Sequence, residues 1–419
     1  MTIQLTTLPS GLRVITDTVP SVESVAVGVW ADVGTRHEDM RNNGVAHMVE
    51  HMMFKGTPTR SAVDIAEQIE NVGGQVNAYT SREMTAYHIH LLKAHLPMAL
   101  DILADVLQNS DMPEEEVERE RGVILQEIGM SLDTPDDLVF DNYQVTAYPG
   151  QALGAPILGT SGIISGMKRE TLLGYVKKFY TSSRLVVSAA GNLQHDDFVK
   201  RVSDLFGGLP KDTAFTPPAA KYQGGEHRQE KPLEQSHLVI GFHGPSRLDD
   251  DVYASMALAT LLGGGMSSRL FQEVREKRGL VYSIFSFQSP YQDGGQFAIY
   301  AGTGPDKLPE LVPVVCDEVL KVCDSIRPEE LLRAKAQLRA SLLMSLESMM
   351  SRASQQAKNL IHYNEVLDLQ EKLRKIEAVT DADVCAAARK IFSSTPTVAA
   401  LGPLDHLAGY EDITRKLAA

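Results

Sequence analysis

The chain has 419 residues, 43% of them hydrophobic and 22% charged, which is ordinary for a soluble globular enzyme and too long for one comfortable core, so two or more domains are expected. A formal net charge of −14, with no basic patch to offset it, excludes nucleic acid as a natural partner. No run of about 18 apolar residues exists to span a bilayer, which excludes a membrane-spanning helix.

The opening MTIQLTTLPSGLRVITDTVP lacks a basic n-region and an apolar h-region. It reads as a first strand and turn, and no secretory or organellar address is expected. The first helix is expected around His47-Met48-Val49-Glu50-His51. Histidines at i and i+4 stand on one helical face, one turn apart, where both can reach a single metal ion. Glu50 lies on nearly the same face, and a carboxylate there can hold a water and take its proton, which is the chemistry of a zinc hydrolase. A solvated polar face would also carry such residues. Val45, Ala46, Met48, Val49, Met52, Met53 and Phe54 surround the triplet, however, so the helix is expected to be largely buried, where unpaired polar groups are costly.

Residues 67–90 read as a helix, a glycine stop and two alternating strands, the first being Gln75–Thr80 behind Gly73-Gly74. That pattern alone suits any hairpin. A further helix is expected over 114–128, where the early carboxylates suit the helix dipole and face solvent. Glu127 is different, because Val123, Ile124, Leu125 and Ile128 surround it; Glu120, two turns earlier, projects from the same face. A strand follows over 186–193, and residues 209–232, rich in Pro, Gly, Lys and Gln, read as a linker.

Beyond the linker the pattern repeats. The helix and paired strands of 67–90 return as 272–300, and Gly191 at the end of its strand returns as Gly402, 211 positions later. Each half implies an α+β sandwich, a mostly antiparallel sheet with helices packed on one face. The expected division is a metal-bearing domain at 1–208, the linker at 209–232 and a homologous domain at 233–419. Where the first half has its His-x-x-Glu-His helix the second has Leu261-Leu262-Gly263-Gly264-Gly265, so only the first can hold the metal. Cys316, Cys323 and Cys385, with no ligand-like spacing, are expected to be reduced, buried small hydrophobes, which fits a cytosolic compartment.

In these motifs the chain resembles the inverted-zincin metallopeptidases, the pitrilysin family that includes insulin-degrading enzyme and the mitochondrial processing peptidase. Their signature is His-x-x-Glu-His followed by a glutamate 76 residues after the second histidine, and Glu127 stands at that distance from His51. The resemblance covers essentially the whole chain, duplication included. It implies one zinc ion (Zn2+) per chain held by His47, His51 and Glu127, with Glu50 as general base and Glu120 orienting a histidine. It also implies that Asn77, Ala78, Tyr79 and Thr80 form an edge strand to which an extended peptide adds itself. Arg275 and Tyr282 match the spacing of the pair with which relatives reach into the active site, with Arg278 as a rival at the wrong spacing.

By length the chain is similar to one subunit of the processing peptidase, so a second chain is expected to close the chamber: a homodimer, or a heterodimer with a metal-free homologue. The expected activity is that of an endopeptidase for short or unfolded peptides in a bacterial cytoplasm. The competing expectations are a non-catalytic scaffold and a peptide-binding subunit that assists a sister peptidase.

Overall fold

The computed structural model describes residues 2–211 and 214–418, which form two compact units. The first comprises Met1–Gly129, Ala155–Pro218 and Met344–Leu367, and the second Met130–Gly154, Ala219–Leu343 and Asp368–Ala419. The units therefore interleave along the chain, which no contiguous division such as 1–208 and 233–419 describes. Among the described residues no helix is long and apolar enough to cross a membrane.

The first unit is built on a six-stranded sheet of β1 (Thr2–Thr7), β2 (Arg13–Thr18), β3 (Ser24–Ala31), β4 (Gln75–Thr80), β5 (Thr85–Leu92) and β6 (Leu185–Gly191). Their order is β1-β2-β6-β3-β5-β4, antiparallel throughout except for the β2–β6 pair. On β3 the residues Val25, Val27 and Val29 point to one face, where they join a core with α1 (Val45–Met52), α2 (Ala62–Glu70), α3 (Leu96–Asn109) and α4 (Glu114–Asp133). This is the expected α+β arrangement.

Both faces of β3 and β6 are buried, so the opposite face needs a cover as well. It comes from the second half of the sequence. The helix Met349–Tyr363 aligns Met349, Ala353, Ala357 and Leu360 on one stripe and lays them against Ile15, Ala26, Trp30 and Val186. Small residues at Ala26, Ala190 and Ala353 allow a close approach, and the Ser188 hydroxyl donates to the Ala353 carbonyl at 2.8 Å. Arg13 donates to the Leu360 carbonyl, and Arg352 pairs with buried Asp17 at 2.7 Å.

The second unit makes the reciprocal arrangement. Its sheet has β7 (Gly225–Glu230), β8 (Ser236–Gly244), β9 (Val281–Pro290), β10 (Gly295–Thr303) and β11 (Thr397–Gly402) in the order β7-β11-β8-β10-β9, with only β7–β11 parallel. One face carries this unit's own helical core, and the other is covered by α5 (Pro135–Ala147) from the first half of the chain. Gly241 on β8 is required by that contact, because a Cβ there would lie 2.3 Å from the Tyr143 hydroxyl. β7 falls inside residues 209–232, which the sequence presents as linker; its polar residues give no apolar alternation because it is an edge strand.

Candidate metal centre

The site begins with how α1 is held. Its N-cap is Gly44 at φ 94°, a left-handed conformation that favours glycine, and a Cβ there would come within 2.8 Å of the Leu158 carbonyl. Glycine offers no side chain to satisfy the first N–H groups of the helix, and Glu38 supplies the acceptors from six residues upstream. One of its oxygens accepts from Gly44 N and Asn43 Nδ2, each at 2.9 Å, and the other from Ala46 N at 2.8 Å. Burial pushes the Glu38 carboxyl up to about 7, against those same hydrogen bonds.

Held in this way, α1 presents His47 and His51 toward Glu127 on α4. Their rings stand 4.6 Å apart, and each Nε2 lies 3.7 Å from Glu127 Oε2. One ligand atom from each of the three residues falls within 4.8 Å of the others. The 3.7 Å separations are too long for hydrogen bonds and have the spacing of donors arranged around an ion. Two imidazoles and a carboxylate are a donor set that suits zinc. His47 Nδ1 and Glu50 Oε2, both buried, have no hydrogen-bond partner.

Electrostatics agree with that geometry. Burial, and then the neighbouring His51, lower His47 to about 4, so its imidazole is neutral and able to ligate at neutral pH. Burial raises the Glu50 carboxyl; hydrogen bonding from Thr80 and the nearby His51 oppose the rise, and Glu127 adds to it. Glu120 is buried, with Oε2 on His51 Nδ1 at 3.0 Å and Oε1 on Lys55 Nζ at 2.5 Å. Its burial would raise the carboxyl, but the bonds from Lys55 and His51 outweigh that and hold it below the usual range.

β4 runs beside this helix as an edge strand, paired through Gln75–Thr80 with β5 only. Asn77, Ala78, Tyr79 and Thr80 thus lie on an edge that is open among the described residues, and the Thr80 hydroxyl faces the Ala46 carbonyl at 3.5 Å. Arg275 and Tyr282 belong to the second unit. Arg275 lies in the π-helical turn Phe271–Glu276, its guanidinium 5.5 Å from the ring centre of Tyr282, a side chain that is 76% exposed on β9. The rival Arg278 is engaged by Glu273 through both its carboxylate and its carbonyl.

Glu127 is about a third exposed rather than enclosed by apolar neighbours, because Val123 also faces out; the buried carboxylate of α4 is Glu120. Sequence reasoning missed Glu38 and Lys55 altogether. No local capping pattern points to Glu38, and the only trace of Lys55 is its position four residues after His51, one helical turn.

Residues 13–161 match the family model described as insulinase (peptidase family M16), and residues 166–338 match the peptidase M16 inactive domain. An uncharacterised zinc protease of Rickettsia felis is 41% identical over 95% of this chain and 97% of its own length. One from Bacillus subtilis is 39% identical over 95% and 97%. Among solved structures, a protease from Helicobacter pylori superposes with a TM-score of 0.91 at 24% identity, covering 96% of this chain and 99% of that one.

Proposed function

The chain belongs to peptidase family M16, and from that premise we propose that it is a zinc-dependent endopeptidase acting on short or unfolded peptides. The observation that carries this reading is the convergence of His47, His51 and Glu127 with no hydrogen bonds among them, beside a Glu50 oxygen that has no partner. His47, His51 and Glu127 would hold one zinc ion per chain, which supplies Lewis acidity toward a carbonyl oxygen and a water.

The remaining chemistry belongs to the protein's own groups. Glu50 Oε2 takes the proton of the attacking water and passes it to the leaving amine, and a carboxyl raised by burial is a stronger base than an ordinary one. The open edge of β4 binds an extended peptide through its backbone, so a folded substrate is excluded by shape. Arg275 and Tyr282 act from a second copy of the chain, clamping the peptide or stabilising developing negative charge, in a chamber that two copies close in a bacterial cytoplasm. Metal analysis of the purified protein, with hydrolysis of a flexible peptide before and after chelation, tests the reading. A metal-free protein that stays inactive when zinc is restored would overturn it in favour of a non-catalytic scaffold.

A further inference from the structure

Glu120 uses its two oxygens for different purposes. Oε2 faces His51 Nδ1 at 3.0 Å, and Oε1 is taken by Lys55 Nζ at 2.5 Å. A terminal carboxylate torsion is soft, and a carboxylate tethered through one oxygen only can swing. Bound at both oxygens, it is fixed. We propose that Lys55 is a positioning residue of the metal centre, holding Glu120 in the one orientation that aims His51 Nε2 at Glu127.

Lys55 is itself held in place. Its backbone N donates to the Met52 carbonyl at 3.1 Å in the turn that ends α1. Gly56 follows at φ 124° and accepts from Asp111 N, three residues before α4 begins. Arg60 and Thr57 then anchor the next turn to Asp105 on α3. The lysine therefore projects from a fixed backbone, and its side chain is 30% exposed rather than free in solvent.

Charge gives the same answer. Glu50, Glu120 and Glu127 bring three carboxylates to the site, and a divalent ion leaves one unbalanced. Among the described residues the ion pairs of Glu120 and Glu127 are made with His47, His51 and Lys55, and Lys55 is the one lysine or arginine among those partners, so it supplies the positive charge. Partners one step beyond a metal's ligands typically change affinity by about ten- to a hundred-fold when removed.

The inference rests on the reading of the site as a zinc centre, and the experiment separates the two. Zinc affinity is measured by chelator competition for the full-length wild type, Lys55→Met, Lys55→Arg, Glu120→Gln and the Lys55→Met/Glu120→Gln double variant, with thermal melts of each metal-free protein. Lys55→Met keeps the apolar stem and should bind zinc several-fold more weakly, by no more than Glu120→Gln, whose loss should be about ten-fold or more; Lys55→Arg should recover most of the Lys55→Met loss. In the Glu120→Gln background Lys55→Met should add nothing, because its action runs through Glu120. Should Lys55→Met fail to fold, Lys55→Gln takes its place. Affinity within about two-fold of wild type, or losses that multiply in the double variant, would overturn the role of Lys55 while leaving the zinc centre intact. A wild type that binds no zinc would overturn both.

Discussion

Replacing Glu50 by glutamine should remove hydrolysis, retain zinc and make the metal-free protein more stable. The first two effects follow from the division of labour at the site. The three ligand atoms belong to His47, His51 and Glu127, and none is altered, so zinc should remain at one per chain. Loss of a general base slows such a reaction by about 10²- to 10⁴-fold, or roughly 2.7–5.5 kcal/mol of barrier. The third effect comes from burial. Glu50 Oε2 is buried without a partner, a condition that costs roughly 1–3 kcal/mol and more when the group is charged. The neutral amide should recover about 1 kcal/mol of that.

The folded-state carboxyl of Glu50 is raised, so the folded protein holds a proton that the unfolded chain has already lost. Its contribution to stability is complete below the ordinary carboxylate range and is lost as pH rises through the raised value. The advantage of Glu50→Gln should therefore vanish near pH 4 and grow as pH rises above the ordinary carboxylate range, so that it is larger at pH 8. Urea melts of chelated protein at both pH values, with zinc analysis and a fluorogenic peptide assay, measure all three effects. Turnover within ten-fold of wild type, or a metal-free variant less stable than wild type at pH 8, would refute the assignment of Glu50 as a buried, unpartnered base.

Substituting the ligands should act differently: His47→Ala, His51→Ala and Glu127→Gln should each lose both zinc and activity, read as metal per chain after gel filtration. Glu38, whose carboxyl rises from 4.5 to about 7 on folding, should stabilise the metal-free protein below pH 4.5 and lose that contribution as pH rises through 7, a swing of roughly 3 kcal/mol that Glu38→Gln should abolish in urea melts at pH 5 and 8. If Arg275 and Tyr282 act across a homodimer, Glu50→Gln and Arg275→Ala/Tyr282→Phe should each be nearly inactive alone. After subunit exchange their equal mixture should regain about a quarter of wild-type activity per chain, and no recovery despite proven exchange would sink that arrangement.

The metal helix was legible because two histidines at helical spacing share a face whatever surrounds them, and the structure buries Met48, Val49, Met52 and Met53 around them as expected. Glu127 is a different matter. Its apolar neighbours in sequence suggest an enclosed carboxylate, but a helix distributes such neighbours over all its sides, and the firmer signal is the 76-residue spacing from His51 that the family resemblance supplies. Glu38 and Lys55 escaped because each acts through the folded backbone: one reaches across six residues to cap a glycine, the other crosses from the end of α1 to α4. The placement of α5 and of Met349–Tyr363 escaped for a similar reason. An amphipathic stripe declares that a helix must be covered without naming the sheet that covers it, and the doubly buried pattern of β3 and β6 was the one local sign of a missing layer.

That crossed-over helix sets a timetable for biogenesis. Every strand of the first sheet has been made once residue 191 is synthesised, and so has the whole metal triad, yet the stripe that seals its far face ends at residue 363. At roughly 5–20 residues per second the interval is on the order of ten to thirty seconds. Throughout that time Trp30, Ile15 and Val186 have no lid, and the bonds that close it span 165 residues from Ser188 to Ala353 and 347 from Arg13 to Leu360. A nascent chain in this state is sticky along one flat face, a natural client for a chaperone. A fragment that stops at residue 208 would carry all three metal ligands and still be expected to aggregate.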